Sequence, residues 1–334
     1  MRQFIFPTKD GSIYEEVPTR NSGLDEILEV GKSDSGRYRI RSLLEFELPA
    51  TIPINAEFEL RLFTANSQKM NRNQLIRVLN QSQSWEEGDG YYYQDRIQNV
   101  SGATWREAMS GSSWTVTGSV SVGASYVSSA FSPSVEDKDF SISVTTLVRQ
   151  AISASFNPSF VVALSDADES NRDIKTNIKF FSKDSHTIYR PMLVAKWDDQ
   201  TFTTASLTPL SSLENHVQPR SLKPSYRSGE FATVYLSARA RYPQKTFATS
   251  GSTYAGSSYL PSSSFFSVVD DQANIEIIPF DEYSKISCDS NGSFCRFRVE
   301  GMYPLRYYRL RFKIVFPDGR IEMFDDNHTF TVAL

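Results

Sequence analysis

The stretch RSLLEFELPATIPINAEFELRLF, residues 41–63, contains two runs in which apolar and charged side chains alternate. Successive side chains of a β-strand point to opposite faces of a sheet, so alternation of this kind predicts two strands with one buried and one outer face. The apolar members, expected in the core, are Leu44, Phe46, Leu48, Phe58, Leu60 and Leu62. The acidic members, expected on the outer face, are Glu45, Glu47, Glu57 and Glu59.

The same period of two recurs along most of the chain, in runs such as DFSISV (139–144) and NIKFFS (177–182), between turns rich in Gly, Pro, Ser and Asn. One segment, VTTLVRQAISA (144–154), instead favours a short helix with Thr145 as its cap. The predicted fold class is therefore all-β.

The length of 334 residues predicts two domains. Residues 1–199 form the first β-rich unit, which closes with YRPMLVAKWDD, and residues 200–222 are rich in Ser, Thr, Pro and Asn, as a linker is. Residues 223–334 contain about seven short strands, which predicts a smaller immunoglobulin-like sandwich.

Composition argues against two classes of partner. The formal net charge of −4 does not suit a nucleic-acid-binding protein, and no window approaches the roughly 18 apolar residues of a membrane-spanning helix. The apolar run at the start of the chain ends at Pro7, too soon for an export signal, so we expect synthesis in the cytosol.

The two cysteines flank Asn291-Gly292, a pair typical of a two-residue hairpin turn. Counting outward from that turn places Cys288 opposite Cys295, at a separation that a disulfide could bridge. Two free thiols are the expectation in a reducing cytosol, and the disulfide stays the alternative.

Residues 84–114 contain three tryptophans, Trp85, Trp105 and Trp114, and the run Tyr91, Tyr92 and Tyr93, in a background typical of loops. A long irregular connection needs buried anchors, because ordering its backbone costs conformational entropy. We therefore interpret the tryptophans as structural anchors. The alternatives are a platform on which the tyrosines stack against a sugar, and a protein interface.

Residues 9–198 also contain an ordered series of motifs that resembles the DNRLRE domain family, a disaggregatase-related carbohydrate-binding module. The motifs are GLDEILEVG (23–31), RSLLEFELP (41–49), SWEEGDG (84–90), GATWREA (102–108), Gly-x-x-Trp (111–114), VTTLVRQ (144–150) and FFSKDSHTIYRPMLVAKW (180–197). The resemblance implies a jelly-roll β-sandwich, and some members of the family bind polysaccharide. Here the run Tyr91–Tyr93 replaces the end of the family's W-E-G motif.

Jelly rolls of this kind that lack an export signal and are joined to a small sandwich resemble virion components of tailed bacteriophages. The segment from Tyr303 to Val332 likewise resembles the final module of phage structural proteins. The resemblance implies a protein made in the host cytoplasm, released by lysis and located in the virion.

Catalytic signatures are weak in this sequence. His186, His216 and His328 are not accompanied by a nucleophile motif, and the loop acids Glu86 and Glu87 have no spacing that identifies an acid–base pair. We predict no enzymatic activity and no cofactor.

A structural calcium ion is the alternative to a solvated loop in SDADESNRD (165–173), where Asp166, Asp168 and Asp173 supply the carboxylates beside Glu169. The segment lacks the ligand spacing of an EF-hand.

The second unit contains two neighbouring runs with cations on one face, Arg296 and Arg298 in the first and Arg309, Arg311 and Lys313 in the second. If the two strands pair, five cations share one outer face, and like charges across strands are destabilising. Solvation of this face is the simpler reading. The sharper hypothesis is contact with an acidic face (Glu45, Glu47, Glu57 and Glu59) of another copy or of another virion protein.

These observations favour a non-enzymatic structural protein of a bacteriophage capsid, neck, tail or baseplate, whose partners are other virion proteins and copies of itself. The alternative function is recognition of a host glycan through Tyr91–Tyr93. A polysaccharide-degrading enzyme is a third reading.

Overall fold

The computed structural model describes residues 1–65, 73–93, 101–120, 124–132, 139–211, 213–242 and 258–333. The chain forms two compact units. The first runs from Phe4 to Ala195, and the second comprises Lys196–Leu334 together with Met1–Gln3.

Strands dominate the described residues, which confirms the all-β fold class. The strands are β1 (Arg2–Ile5), β2 (Pro7–Tyr14), β3 (Ile27–Lys32), β4 (Arg39–Phe46), β5 (Glu57–Leu62), β6 (Gln74–Asn80), β7 (Glu107–Met109), β8 (Ser112–Ser113), β9 (Tyr126–Phe131), β10 (Phe140–Ser143), β11 (Ser159–Leu164), β12 (Asn177–Phe181), β13 (Met192–Lys196), β14 (Asn215–Pro219), β15 (Ser225–Arg227), β16 (Phe231–Ala240), β17 (Ser264–Asp270), β18 (Ile275–Ile278), β19 (Ser287–Asp289), β20 (Gly292–Arg298), β21 (Tyr307–Val315) and β22 (Ile321–Ala333). The helices are α1 (Thr145–Ser153), α2 (Asp166–Ser170) and a 3-10 turn at Glu282–Ser284. Neither α-helix of the described residues is long and apolar enough to cross a bilayer.

The first unit is a sandwich of two sheets. The smaller sheet has the order β1-β13-β5-β10, and the larger has the order β12-β3-β4-β11-β6-β9, with β2 also paired to β4. Leu44 and Phe46 on β4 and Phe58 and Leu60 on β5 are buried, as the alternation of residues 41–63 predicts.

The larger sheet is apolar on its outer face as well. Every residue of β11 is buried, and Val161 and Ala163 of that strand pack against Trp85, Trp105 and Trp114. The irregular connection around β7 and β8 therefore covers this sheet with a second, smaller core. Such two-sided burial explains why SFVVAL reads as a continuous apolar run instead of an alternating one.

Hydrogen bonds of the indole groups fix this connection. Trp85 is 1% exposed, and its Nε1–H donates to Ser159 Oγ at 2.9 Å. The Nε1–H of Trp114 donates to the carbonyl oxygen of Thr104 at 2.7 Å. Trp85 and Trp114 are therefore buried and hydrogen-bonded, as the anchor interpretation predicts, and Trp105 is buried beside them.

The predicted helix is present as α1, but Thr145 is its first residue and not its cap. Val144 takes the cap position without a side-chain bond, while Thr145 Oγ1 accepts a hydrogen bond from the backbone N–H of Phe58 at 2.8 Å. The hydroxyl therefore joins the helix to β5 instead of closing the first turn.

The second unit has two sheets, of order β14-β16-β20-β19 and β15-β22-β21-β17-β18. This is the strand order of an immunoglobulin-like sandwich, in which β15 runs parallel to β22. Tyr308, near the start of β21, fixes the turn that precedes this strand, because its hydroxyl accepts a hydrogen bond from the N–H of Tyr303 at 2.7 Å.

Residues 200–222, expected to form a linker, instead belong to this second unit. Asn215–Pro219 is its first strand and pairs with β16, and Phe202 forms a bridge with Cys288. The segment has little periodicity because it is an edge strand with irregular flanks, and composition alone did not separate that from a linker.

The cysteine hairpin differs from the prediction by one residue on each strand. Cys288 lies opposite Ser293, and Asp289 lies opposite Gly292. The turn is centred on Ser290-Asn291 because Asp289 Oδ1 accepts a hydrogen bond from the N–H of Asn291 at 2.7 Å. The two cysteines are therefore not cross-strand partners, and both are free and buried.

Candidate functional site

Two cavities of the first unit are lined in part by residues of β3 and β4, with volumes of about 560 Å³ and about 520 Å³. The Lys32 side chain lines both of them. We call the first the arginine cavity and the second the tyrosine cavity, after the residues that distinguish them.

The arginine cavity is lined by six cations from separate parts of the chain. They are Lys32, Arg37, Arg39, Arg41, Arg77 and Arg172. Strands β3, β4 and β6 of the larger sheet supply four of them, Lys32, Arg39, Arg41 and Arg77, and β11 lies between β4 and β6 in that sheet.

Three acids of the cavity wall pair with three of these arginines. The Glu169 carboxylate binds Arg41 through two contacts of 2.6 and 2.8 Å, and both side chains are 4% exposed. Asp166 lies 2.8 Å from Arg77. Although burial alone would raise the pKa of Glu15, hydrogen bonds from Arg39 lower it.

Lys32 is buried, and its ammonium donates to the carbonyl oxygens of Glu169 at 2.7 Å and Asn171 at 2.9 Å. Burial lowers the pKa of Lys32 from its ordinary value, while the Glu169 carboxylate opposes that shift. Six cations against three acids leave the arginine cavity with a formal surplus of three positive charges.

The tyrosine cavity presents aromatic rings beside polar groups. The rings of Tyr14 and Tyr92 are tilted with centroids 4.4 Å apart, and the guanidinium of Arg20 lies 4.9 Å from the centre of the Tyr92 ring. The Tyr92 N–H donates to the Asp25 carboxylate at 3.2 Å. Burial raises the pKa of Asp25 to about 6.

Of the three tyrosines predicted from the sequence, Tyr92 lines this cavity. Tyr91 and Tyr93 face each other with ring centroids 5.5 Å apart, and Tyr93 is 74% exposed. Sequence reasoning missed Tyr14, Tyr38 and all the arginines of the neighbouring cavity. They sit on strands that are distant in sequence, and only the pairing of those strands brings them together.

The structure places the predicted calcium ligands apart. Asp166 pairs with Arg77, Asp168 Oδ2 accepts a hydrogen bond from Ser165 Oγ at the start of α2, and Asp173 lies in an exposed turn. The Glu169 side chain points to Arg41. These carboxylates do not form one set of oxygen ligands.

The five predicted interface cations do not share a face, because β20 and β21 belong to different sheets. Their apolar faces meet in one core instead, so the cations lie on opposite outer surfaces of the sandwich. The guanidinium of Arg298 lies 4.5 Å from the centre of the Phe231 ring, and that of Arg296 lies 5.4 Å from the centre of the Phe294 ring.

The cations of β21 find acids within their own sheet. Arg309 lies 3.2 Å from Asp271 and 3.0 Å from Asp325, and Arg311 contacts Glu276. Lys313, the third member of this run, is half-buried. Acidic residues of the same sheet therefore pair with Arg309 and Arg311, whereas the prediction expected these partners on a neighbouring molecule.

The acidic residues of the first unit are likewise divided between two sheets, Glu45 on β4 and Glu57 and Glu59 on β5, with Glu47 following β4. Glu45 pairs with Lys9 at 2.9 Å, and Glu59 pairs with Arg61 at 2.6 Å. They form no common acidic face.

A separate group of acids lies beside the SWEEGDG motif. One oxygen from each of Asp10, Glu87 and Asp184 belongs to a set whose members all lie within 4.8 Å of one another. Burial raises the pKa of Asp10 to about 8. His186, which lies two residues after Asp184, is 93% exposed.

In comparisons with known proteins, no family model and no curated protein matches this chain. Among solved structures, it is similar to a DUF4785 family protein from Legionella pneumophila at 8% identity and a TM-score of 0.24. That match covers the whole of this chain, which spans 62% of the other protein's length.

Proposed function

We propose that this chain is a non-enzymatic structural component of a bacteriophage virion, in the capsid, neck, tail or baseplate. Its partners would be other virion proteins and further copies of itself. The proposal rests on the resemblance of the ordered motifs in residues 9–198 to jelly rolls of phage particles. The observation that carries it is the burial of the tryptophans in three of those motifs.

Those tryptophans make a long connection part of the sandwich. Trp85, Trp105 and Trp114 are between 1% and 5% exposed, and they join the connection to the outer side of the larger sheet. Burial of the tryptophan rings in the packing of this connection supports a mechanical role, because catalysis or ligand stacking would require the rings to be accessible.

The second unit adds exposed apolar side chains of the kind that pack against other proteins. Tyr307 on β21 is 53% exposed, and Ile321 and Met323 on β22 are 55% and 56% exposed. Burial of such side chains at a contact contributes about 25 cal/mol per Å² of apolar surface.

Proteomics of purified particles tests the proposal. We expect this chain to co-purify with intact particles through a density gradient, at a constant ratio to the major capsid protein. Recovery only in the soluble fraction of the lysate, with none in the particle band, would contradict a structural role.

A second candidate, recognition of a host glycan, is favoured by the Tyr14–Tyr92 pair in the tyrosine cavity. Aromatic faces stack on the apolar faces of sugar rings, and nearby polar groups can bind the hydroxyls. Lys32 connects this cavity to the positively charged arginine cavity, so an acidic saccharide suits the pair best.

Substitution of single tyrosines separates a binding role from a structural one. We expect Tyr92→Ala to abolish retention on a glycan array, whereas Tyr93→Ala, at a residue that lines neither cavity, leaves retention unchanged. Equal retention by both variants and by the unmodified protein would exclude the tyrosine cavity as the binding site.

A further inference from the structure

Three carboxylates from distant parts of the chain converge beside the connection that the tryptophans anchor. Asp10 lies on β2, Glu87 lies two residues after the first tryptophan, and Asp184 follows β12. Each contributes one oxygen to a group in which every pair of oxygens is within 4.8 Å. Like charges at this spacing repel one another, so the cluster requires compensation.

Within the described residues, the Lys183 ammonium pairs with the cluster, and one ammonium does not balance three ionised carboxylates. The Lys183 ammonium lies 3.2 Å from Glu87 Oε1 and 2.8 Å from Asp184 Oδ2. With all three carboxylates ionised, the cluster and this ammonium carry a formal charge of −2, since −3 + 1 = −2. One divalent cation would balance that charge and would favour the ionised form of the carboxylates.

An unsatisfied oxygen of Asp10 points independently to a ligand. Asp10 is fully buried, and its Oδ2 accepts a hydrogen bond from the N–H of Lys183 at 2.7 Å. Its Oδ1 is buried and has no hydrogen-bond partner in the described part of the chain. Whether the group is ionised or neutral, Oδ1 lacks the donor or acceptor that a buried carboxyl oxygen requires, and a bound cation would satisfy it.

The other two carboxylates also keep one oxygen uncommitted. Among the described residues, the contacts of Glu87 with Asp10 N–H and Lys183 use Oε1, and those of Asp184 with Lys183 use Oδ2. Each of the three side chains can therefore offer an oxygen to a cation without giving up an existing bond.

We propose that Asp10, Glu87 and Asp184 bind a divalent cation, calcium, which ties the SWEEGDG connection to β2 and to the loop after β12. Calcium suits an oxygen-only site of irregular geometry, with backbone oxygens and water completing its shell, whereas magnesium demands a near-ideal octahedron. This site differs from the 165–173 segment, whose acids are bound to arginines and to the start of a helix.

Calorimetry on the full chain tests the site. After dialysis against a chelator, titration with calcium chloride is expected to give one site per chain and to raise the melting temperature of the first unit by several degrees. No heat of binding and no change in melting temperature up to roughly 5 mM calcium would overturn the proposal. An equal response to magnesium chloride would overturn the assignment to calcium.

Three substitutions locate the site. Asp10→Asn and Asp184→Asn are expected to weaken calcium binding at least about tenfold, because each removes a charged ligand. Asp184 is half-buried, so its variant keeps the fold even if the Asp10 variant does not. Asp166→Asn, in the other acidic segment, serves as the matched control and binds calcium normally. Unchanged binding in both test variants, or loss of binding in the control alone, would refute the assignment.

Discussion

The anchoring role of the tryptophans makes a sharp prediction for Trp85→Ala. The indole is 1% exposed and donates a hydrogen bond to Ser159 Oγ, so truncation removes buried apolar surface, leaves a cavity and orphans a hydroxyl. Substitutions of this kind cost about 3–5 kcal/mol. For a unit of this size, each 1 kcal/mol lowers the melting temperature by about 2–4 °C. We therefore expect a fall of roughly 10 °C in the transition of the first unit.

Differential scanning calorimetry would measure this change as a shift of the unfolding transition. Tyr93→Ala, which truncates a residue that is 74% exposed, serves as the control and should change stability by less than about 0.5 kcal/mol. If Trp85→Ala does not fold, Trp85→Phe keeps most of the volume and should still lose the bond to Ser159. A melting temperature within about 1 °C of the unmodified protein for both tryptophan variants would refute the scaffold interpretation.

Two further substitutions test the electrostatics of the first unit. Glu169→Gln leaves the buried guanidinium of Arg41 without its charged partner, so we expect the free energy of unfolding in urea to fall by about 3–5 kcal/mol. Lys179→Gln, at a surface ion pair, serves as the control and should lower it by less than about 1 kcal/mol. A loss as small as that of the surface control would contradict the buried pair. The pKa of Asp25 is raised to about 6 by burial, so the folded state binds its proton more tightly than the unfolded chain, and this group's contribution to stability falls as the pH rises from about 4 to about 6. Asp25 is half-exposed, so after solvent screening the difference is about 1 kcal/mol, and it should disappear in Asp25→Asn; an identical pH profile in both proteins would contradict it.

The alternation in residues 41–63 was enough to predict strands and their buried faces, because a side-chain period of two is a local property of the chain. The strand register of the cysteine hairpin and the structural role of residues 200–222 were harder to predict. The hydrogen bond to the Asp289 side chain places the hairpin turn one residue earlier than predicted. The segment predicted as a linker, residues 200–222, contains an edge strand that pairs with β16.

The candidate sites show the same division between local and long-range information. Tyr92 could be singled out because its neighbours in sequence are aromatic. Arg41, Arg77 and Lys32 could not, since they come together only when β3, β4 and β6 align. The prediction that the five cations of the second unit share one face was wrong for a related reason. Consecutive strands can belong to opposite sheets of a sandwich.

Cryo-electron microscopy of particles purified from the native source tests the virion proposal most directly. We expect density for both β-sandwich units in many symmetry-related copies, with the exposed apolar side chains of β21 and β22 buried against a neighbour. A particle reconstructed to side-chain resolution that contains no density for this chain would contradict the proposed function.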